Sequence, residues 1–424
     1  LHPAAPTDAV FLLPGFLGFD RLNDFHYFSD RAVAVLRTAL STALGADVPV
    51  IPLCTRPTDA LVVRQRDLRA RITAWVRYLD ARGAHLERLH LVGHSTGGVD
   101  AWLLLCEEPL VHRAGEHRRR FEGTWGDFAE LHRKLLRGAS VALAAPFQGA
   151  SIATSDALQL FGDFPHQIGE HRRGLVVLGQ ASILLGKRAL ERGNGWSDLA
   201  INLSVDSRAS RALICDVLRS RELVDDLVPE AMADLMDSGR FEGEHEVACF
   251  ATVAPRPADP LDFVSQVTNE KGARTFYRLC HDEVGRSVDA AFADRLAPFL
   301  ATMNSRRAPE FGVSGHVPEN LEPFDCDGIV NTGAMLPTKG GGLSGLVVAD
   351  HANVIGHFTR MRDDYEGPGA PIPGDEGLFE SGAGFDDAAF FALYQAAATA
   401  IANRRPRPTG AGRAAPRPTH PKPR

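Results

Sequence analysis

The stretch Leu89-His90-Leu91-Val92-Gly93-His94-Ser95-Thr96-Gly97-Gly98 decides how this chain folds. A short, mostly apolar strand runs into a G-x-S-x-G pentapeptide. The apolar segment Val99-Asp100-Ala101-Trp102-Leu103-Leu104-Leu105 then continues as a helix. A serine between a buried strand and a helix, with small residues two before and two after it, reads as a nucleophile elbow. The turn is so tight that side chains at 93 and 97 would clash, and Gly98 extends the room. Such a turn would hold the Ser95 hydroxyl at the top of a sheet, with the next helix aiming its N-terminus at it. A glycine-rich surface turn is the bland alternative, and the flanking strand and helix weigh against it.

A nucleophilic serine makes three further demands: a base, an acid that orients the base, and donors for the developing oxyanion. Behind an elbow the chain order is serine, acid, histidine. Among the sixteen histidines, His316, His351, His357 and His420 come late enough. His420 lies in a Pro/Arg tail. His351 follows the apolar run Leu346-Val347-Val348-Ala349 and precedes Asn353-Val354-Ile355-Gly356, where a loop leaves a strand, so it is the expected base. The acid should stand at the end of the last-but-one core strand. The segment Phe324-Asp325-Cys326-Asp327-Gly328-Ile329-Val330-Asn331-Thr332 offers Asp327, with Asp325 in reserve. The oxyanion donors are expected to be the N–H groups of Thr96 and of Phe16. Phe16 lies in the loop Pro14-Gly15-Phe16-Leu17-Gly18-Phe19-Asp20 after the apolar strand at 9–13.

These words together resemble the true bacterial lipases of the α/β-hydrolase superfamily, most of all their thermophilic Gram-positive branch. The likeness is carried by Gly15-Phe16-Leu17-Gly18-Phe19-Asp20, the elbow, Ala145-Pro146-Phe147-Gln148-Gly149, Asp327-Gly328-Ile329-Val330-Asn331-Thr332 and Asp350-His351-Ala352-Asn353-Val354-Ile355-Gly356. It implies Ser95, Asp327 and His351 as a catalytic triad, with Phe16 and Thr96 as oxyanion donors. Two departures stand out. The first loop of that family opens His-Gly, and here it opens Pro14-Gly15. The carboxylates that hold calcium just after the family's catalytic histidine are replaced by Ala352, Asn353, Val354 and Ile355, thin provision for a cation that wants several oxygen ligands. The zinc site of the thermophilic branch has no counterpart either, since residues 25–83 hold only His26 as a histidine. No metal or other cofactor is expected; calcium would need ligands from elsewhere.

At 424 residues, 44% hydrophobic and 23% charged, the chain has the composition of a soluble globular protein with ample core. A formal net charge of −7 argues against nucleic acid as a partner. No run approaches the ~20 apolar residues of a membrane-spanning helix. The chain begins Leu1-His2-Pro3 without a visible signal peptide, so export and a cytoplasmic location both stay open. The six cysteines, Cys54, Cys106, Cys215, Cys249, Cys280 and Cys326, form no C-x-x-C pair and read mostly as buried thiols, although one or two disulfides remain open. Oligomeric state is not legible.

Alternating strands and helices predict a mostly parallel sheet with helices on both sides. Residues 1–150 are the first part of an α/β-hydrolase core, with helices at 29–44 and 61–82, strands at 48–53 and 140–145, and a basic insert at 107–137. In the 61–82 helix, Leu68, Ile72, Trp75, Val76 and Leu79 are expected on the buried face. Residues 151–245 read as a helical cap or lid insertion, with stripes at 175–192, 207–221 and 230–238. Residues 246–254 return a strand to the core, 255–320 form a second insertion with a helix near 288–303, and 321–403 complete the core with the acid, the histidine and a closing helix. The tail 404–424, rich in Pro and Arg, is expected to be disordered.

The expected activity is hydrolysis of carboxylic esters, as by a lipase or carboxylesterase, through an acyl-enzyme on Ser95. Apolar residues including Leu17 and Phe147 would line a cleft for medium or long acyl chains, with transient contact at a lipid interface. The same residues would serve an acyltransferase or a polyester hydrolase. A catalytically idle scaffold is the rival from another class, and the retained site words argue against it.

Overall fold

The computed structural model describes residues 7–16, 18, 21–22, 25–56, 58–106, 111–114, 117–120, 128–154, 222–239, 246–254, 284–305, 308–312, 318–357 and 385–404. Its centre is a sheet of seven strands, all parallel: β1 (Asp8–Leu13), β2 (Val50–Pro52), β3 (Arg88–His94), β4 (Ser140–Leu143), β5 (Val247–Val253), β6 (Glu310–Phe311) and β7 (Gly341–Val348). Their spatial order is β6-β7-β5-β4-β3-β1-β2. The α-helices among the described residues are α1 (Asp30–Leu44), α2 (Leu61–Asp80), α3 (Thr96–Leu103), α4 (Ala129–Arg137), α5 (Glu222–Asp226), α6 (Pro229–Ser238), α7 (Ala290–Ser305) and α8 (Asp387–Asn403).

Strand β1 reads as an unbroken apolar run because both of its faces are covered. Ala9, Phe11 and Leu13 enter one apolar cluster with residues of α2, α3 and α7, whereas Val10 and Leu12 enter the other with residues of α1 and α8. The two-residue period of a strand thus feeds two separate cores. Burying each Leu or Phe side chain contributes about 1.5–3 kcal/mol, so this strand alone anchors both layers. Helix α1 shows how local sequence sets the elements. Ser29 caps it by accepting from the Ala32 amide at 3.1 Å, a cap that stabilises by about 1 kcal/mol. Gly45 ends it in the left-handed conformation. Between them Ala32, Val35, Leu36, Ala39 and Leu40 are buried.

The chain runs from β1 through α1 to β2 at the sheet edge, then returns through α2 to set β3 on the other side of β1. The winding therefore reverses between β1 and β3. Loops leaving the carboxyl ends of two such strands diverge, and the crevice between them is where sheets of this kind bind ligands. This order, with helices on both faces, is an α/β-hydrolase fold.

Helix α2 differs from expectation on one face. Its buried residues are Leu61, Arg64, Gln65, Leu68, Arg69 and Ile72, while Trp75 is 38% exposed and stacks edge-on against the exposed Tyr78. Arg64 and Gln65 interrupt the apolar stripe because both bond Asp100 of the neighbouring helix, and Arg64 also the Pro14 carbonyl in the loop after β1. The sheet also reaches into 255–320, where β6 pairs with β7. In the basic insert, 111–114 and 117–120 form an antiparallel pair. Leu17, the stripes at 175–192 and 207–221, Cys215, Cys280, His316 and the tail from 405 onward lie outside the described residues. Cys106, Cys249 and Cys326 are buried thiols, with Cys54 half-buried.

Candidate active site

Ser95 sits between the last residue of β3 and the first of α3 with φ 55° and ψ −131°. Among the described non-glycine residues, only Ser95 and Ala144, at the ends of the adjacent strands β3 and β4, have positive φ. A non-glycine residue in such a conformation costs of order 1–3 kcal/mol and persists only where its surroundings enforce it. The surroundings are visible. A Cβ at Gly93 would run into the Gly97 carbonyl, one at Gly97 into the Leu13 carbonyl, and one at Gly98 into the Ala145 methyl. Glycine alone lets these backbones approach. Ser95 is buried, and Thr96 opens α3 at the positive end of the helix dipole. The Thr96 hydroxyl is buried with no hydrogen-bond partner among the described residues.

The loop after β1 lies against this turn. A Cβ on Gly15 would stand 2.6 Å from Ser95 Cβ and 2.5 Å from the Tyr27 phenolic oxygen. The loop is tightened by the Gly18 amide donating to the Gly15 carbonyl at 3.1 Å. From beneath, Arg64 Nη2 donates to the Pro14 carbonyl at 2.9 Å. Arg64 is itself gripped by Asp100 of α3, with Nη2 and Nε at 2.6 and 2.9 Å from Oδ2, and Gln65 Nε2 donates to Asp100 Oδ1 at 2.8 Å. Both members of the ion pair are fully buried. Such a pair is weak as a source of stability, but it fixes geometry, because a buried charge must keep its partner. Phe16 is half-buried against the α2 side of the core.

Across the switch point, His351 Nδ1–H donates to Asp327 Oδ2 at 2.7 Å. Asp327 is fully buried and does not end a strand as expected. It sits in a turn closed by the Cys326–Asn331 bridge. Thr252 of β5 donates its hydroxyl to Oδ2 at 2.5 Å, and the Ile329 and Val330 amides donate to Oδ1 at 3.1 and 2.9 Å. The His351 amide donates to the Asp327 carbonyl at 3.0 Å, so backbone and side chain pair together. Burial works to raise the Asp327 pKa. The His351 charge and the bonds from His351, Thr252 and Val330 outweigh it and hold the carboxyl below its ordinary value. With Nδ1 committed as donor, the other ring nitrogen of neutral His351 is an acceptor for a proton. Asp325, the reserve carboxylate, is turned away and accepts from the Glu322 amide at 2.7 Å.

Three buried residues join the two sides: His94 and Tyr27, which sequence reasoning left aside, and His357, one of the late histidines weighed as a base. His94 Nε2–H donates to the His351 carbonyl at 2.9 Å, and Tyr27 donates its hydroxyl to His94 Nδ1 at 2.8 Å. His357 Nε2–H is shared between the His26 and Tyr27 carbonyls at 3.0 and 2.9 Å, so its ring braces the chain ahead of α1. Burial keeps both rings neutral. It lowers the His94 pKa well below the ordinary value, aided by the His351 charge, and pushes His357 down to about 4. In sequence His94 was signalled by its place inside the pentapeptide and His357 only by its late position. Thr252, Tyr27 and Arg64 had none, because each acts on a residue far along the chain.

Phe147 has no exposed surface and belongs to the core cluster that also holds Ala144 and Ala145. The residues following His351 fit calcium poorly. Asn353 Oδ1 accepts from the Asp350 amide and its Nδ2 donates to the His357 carbonyl, so the amide is already engaged. Among the described residues no group of three or more His, Cys, Asp or Glu could hold a metal, and no helix is long and apolar enough to cross a membrane.

No protein-family model matches the sequence, and a search of curated proteins finds no match. Solved structures do resemble it. EstA from Clostridium botulinum is 15% identical, with 94% of this chain and 88% of that chain covered and a TM-score of 0.45. The Staphylococcus hyicus lipase is 14% identical, with 95% and 97% covered and a TM-score of 0.46. The Bacillus licheniformis lipase BlEst2 in mature form is 14% identical, with 84% and 89% covered and a TM-score of 0.36. At such identities the reading of the chemistry rests on this chain's own side chains.

Proposed function

We propose that this chain is a serine hydrolase of carboxylic esters. Ser95 attacks the ester carbonyl as His351 takes its proton, and Asp327 holds the imidazole in one tautomer and steadies the imidazolium. The amides of Phe16 and Thr96 bind the oxyanion at the mouth of α3, where charge develops. His351 then protonates the leaving alcohol, and water, activated by the same ring, releases the acid from the acyl-enzyme. The observation that carries this reading is the pairing of a strained, glycine-walled serine at the switch point with a His351–Asp327 couple that is tied to the neighbouring His94. No metal enters these steps.

The substrate class we infer is medium- to long-chain acyl esters, as for a lipase or carboxylesterase of the bacterial true-lipase kind. Its support is the apolar residues around Phe16 and the apolar stripes of 151–245, read as a cap that contacts lipid interfaces transiently. Covalent capture by a fluorophosphonate tests the reaction class. Labelling at Ser95, absent in Ser95→Ala, is expected, and an unlabelled native protein would overturn the reading. Turnover of p-nitrophenyl esters of increasing chain length, beside an emulsified triglyceride, then separates lipase from carboxylesterase. Transfer of the acyl group to an added alcohol in preference to water would instead make the chain an acyltransferase.

A further inference from the structure

We propose that Tyr27 and His94 are positioning residues that couple the oxyanion loop to the base through one close backbone contact and two hydrogen bonds in series. The inference rests on the reading of Ser95 and His351 given above. The run begins at Gly15, one residue before Phe16, whose backbone the Tyr27 phenolic oxygen approaches so closely that a Cβ there would stand 2.5 Å from it. Tyr27 donates its proton to His94 Nδ1 at 2.8 Å, and His94 Nε2–H donates to the His351 carbonyl at 2.9 Å.

Each link fixes the direction of the next. A carbonyl can only accept, so His94 carries its proton on Nε2, Nδ1 must accept, and Tyr27 must donate there. The same phenolic oxygen fills the space that a side chain at Gly15 would need. One neutral tautomer of one ring satisfies every member, and no member has an alternative that leaves the others paired. Buried networks of this kind are rigid when complete and costly when one link is lost. The His94 and His351 rings lie 4.6 Å apart between centroids. A neutral His94 therefore accompanies the imidazolium that forms on His351 without opposing it, and burial keeps His94 in that state.

The run has a geometric purpose beyond filling space. The oxyanion loop and the His351 loop leave strands separated in the sheet by β3, β4 and β5, and among the described residues no backbone hydrogen bond joins 14–18 to 351–357. Tyr27 and His94 set the spacing between the donor amides and the base. A shift of about 1 Å between reacting groups costs on the order of 100-fold in rate. Loss of a link should therefore appear in kcat and in the rate of serine capture, with KM little changed.

The test compares native protein with Tyr27→Phe, His94→Leu and His94→Gln. Its measurements are fluorophosphonate capture rate, p-nitrophenyl ester kcat and KM, circular dichroism, and the downfield proton resonance of His351 Nδ1. Tyr27→Phe and His94→Leu should lower kcat and capture by about 10- to 100-fold with KM within about threefold. Both should also shift or broaden the His351 resonance. His94→Gln, whose amide N–H reaches the former Nε2 position, should recover at least about fivefold over His94→Leu. Folded Tyr27→Phe and His94→Leu proteins within about twofold of native would overturn the coupling while leaving the hydrolase reading intact. Equal losses in His94→Gln and His94→Leu would overturn it as well. If His94→Leu does not fold, Tyr27→Phe decides alone, since it removes a single oxygen. Absence of Ser95 capture in the native protein would instead overturn the hydrolase reading, and this inference with it.

Discussion

Around Ser95 the backbone is held by atoms that are missing. Gly15, Gly93, Gly97 and Gly98 each lack a Cβ where another residue's atoms already stand. Around Asp327 and His351 it is held by atoms that side chains add: the Thr252 hydroxyl, the Asn353 amide and the His94 ring, together with the amides of Ile329 and Val330. The serine side is fixed by contact, which tolerates no growth. The acid–base side is fixed by directed bonds, which tolerate no loss. The contrast follows from where the two lie. A strand passing directly into a helix leaves no room for bonding groups, whereas loops between 318 and 357 have backbone amides to spend on a carboxylate.

The largest effects should come from removing chemistry on either side. Ser95→Ala and His351→Ala should each lower ester kcat by about 10⁴- to 10⁶-fold, and the double variant should be little worse, because the residues act as a unit. Asp327→Asn should cost about 10³- to 10⁴-fold by favouring the wrong His351 tautomer. Asp325→Asn should leave kcat within about threefold, since its carboxylate faces the Glu322 amide. Steady-state kinetics on a soluble ester checks all four. Comparable losses at 325 and 327 would break the assignment of the acid.

Next come changes that attack one kind of support alone. Gly97→Ala forces a methyl onto the Leu13 carbonyl and should cost about 3–5 kcal/mol or the fold itself, read as a urea midpoint. Arg64→Ala strands the Asp100 charge in the core and should cost a similar 3–5 kcal/mol. Pairing Arg64→Met with Asp100→Leu should restore most of that stability. It should still lower kcat about tenfold, because the Pro14 carbonyl has lost its anchor. Full activity in the stabilised double variant would show that the loop needs no anchor.

Acid should loosen the bonded side first. His94 and His357 are held neutral in the folded protein, their pKa values lowered chiefly by burial, to about 4 for His357. In the unfolded chain a histidine takes its proton near pH 6.5. Their contribution is therefore complete above about pH 6.5 and declines as pH falls, by about 1.4 kcal/mol per pH unit for each ring. Asp327, also lowered, adds a loss of the same sign at still lower pH. Urea midpoints between pH 7 and 4.5 measure the slope, and His357→Gln should flatten it by about half. The smallest effect is expected from a chelator. With the Asn353 amide already engaged on protein groups, activity should stay within about twofold, and a calcium-reversible loss would require ligands outside 350–357.

The serine turn was legible because its constraints are steric and act within a few residues, so glycines at 93, 97 and 98 announce it. Chain order and flanking words single out Asp327 and His351, and these two side chains do meet. What holds them was not legible. Thr252 lies 75 positions from Asp327 and Arg64 lies 36 from Asp100, and a buried arginine on a helix looks like a solvent-facing one until its partner is known. The same limit misassigned Trp75 to the buried face of α2. The substitution of Pro14 for the histidine of similar loops fits a loop held instead through its carbonyl by Arg64.

Helix α2 also bears on the order in which the molecule assembles. Ala60, at its start, offers no side-chain cap, and the first amide, that of Leu61, donates to Asp226 of α5 at 2.7 Å, 165 positions later. The Leu223 amide donates in turn to the Thr58 carbonyl, and the Ala150 amide to that of Leu227. On the ribosome, β1, β2 and β3 emerge long before the carboxylate that finishes the helix between them. The first amide of α2 therefore lacks this acceptor until the chain has passed residue 226. Closing so long a loop is slow and leaves apolar strands exposed meanwhile. Refolding should therefore be rate-limited by this late clasp, and Asp226→Ala should slow folding more than it speeds unfolding.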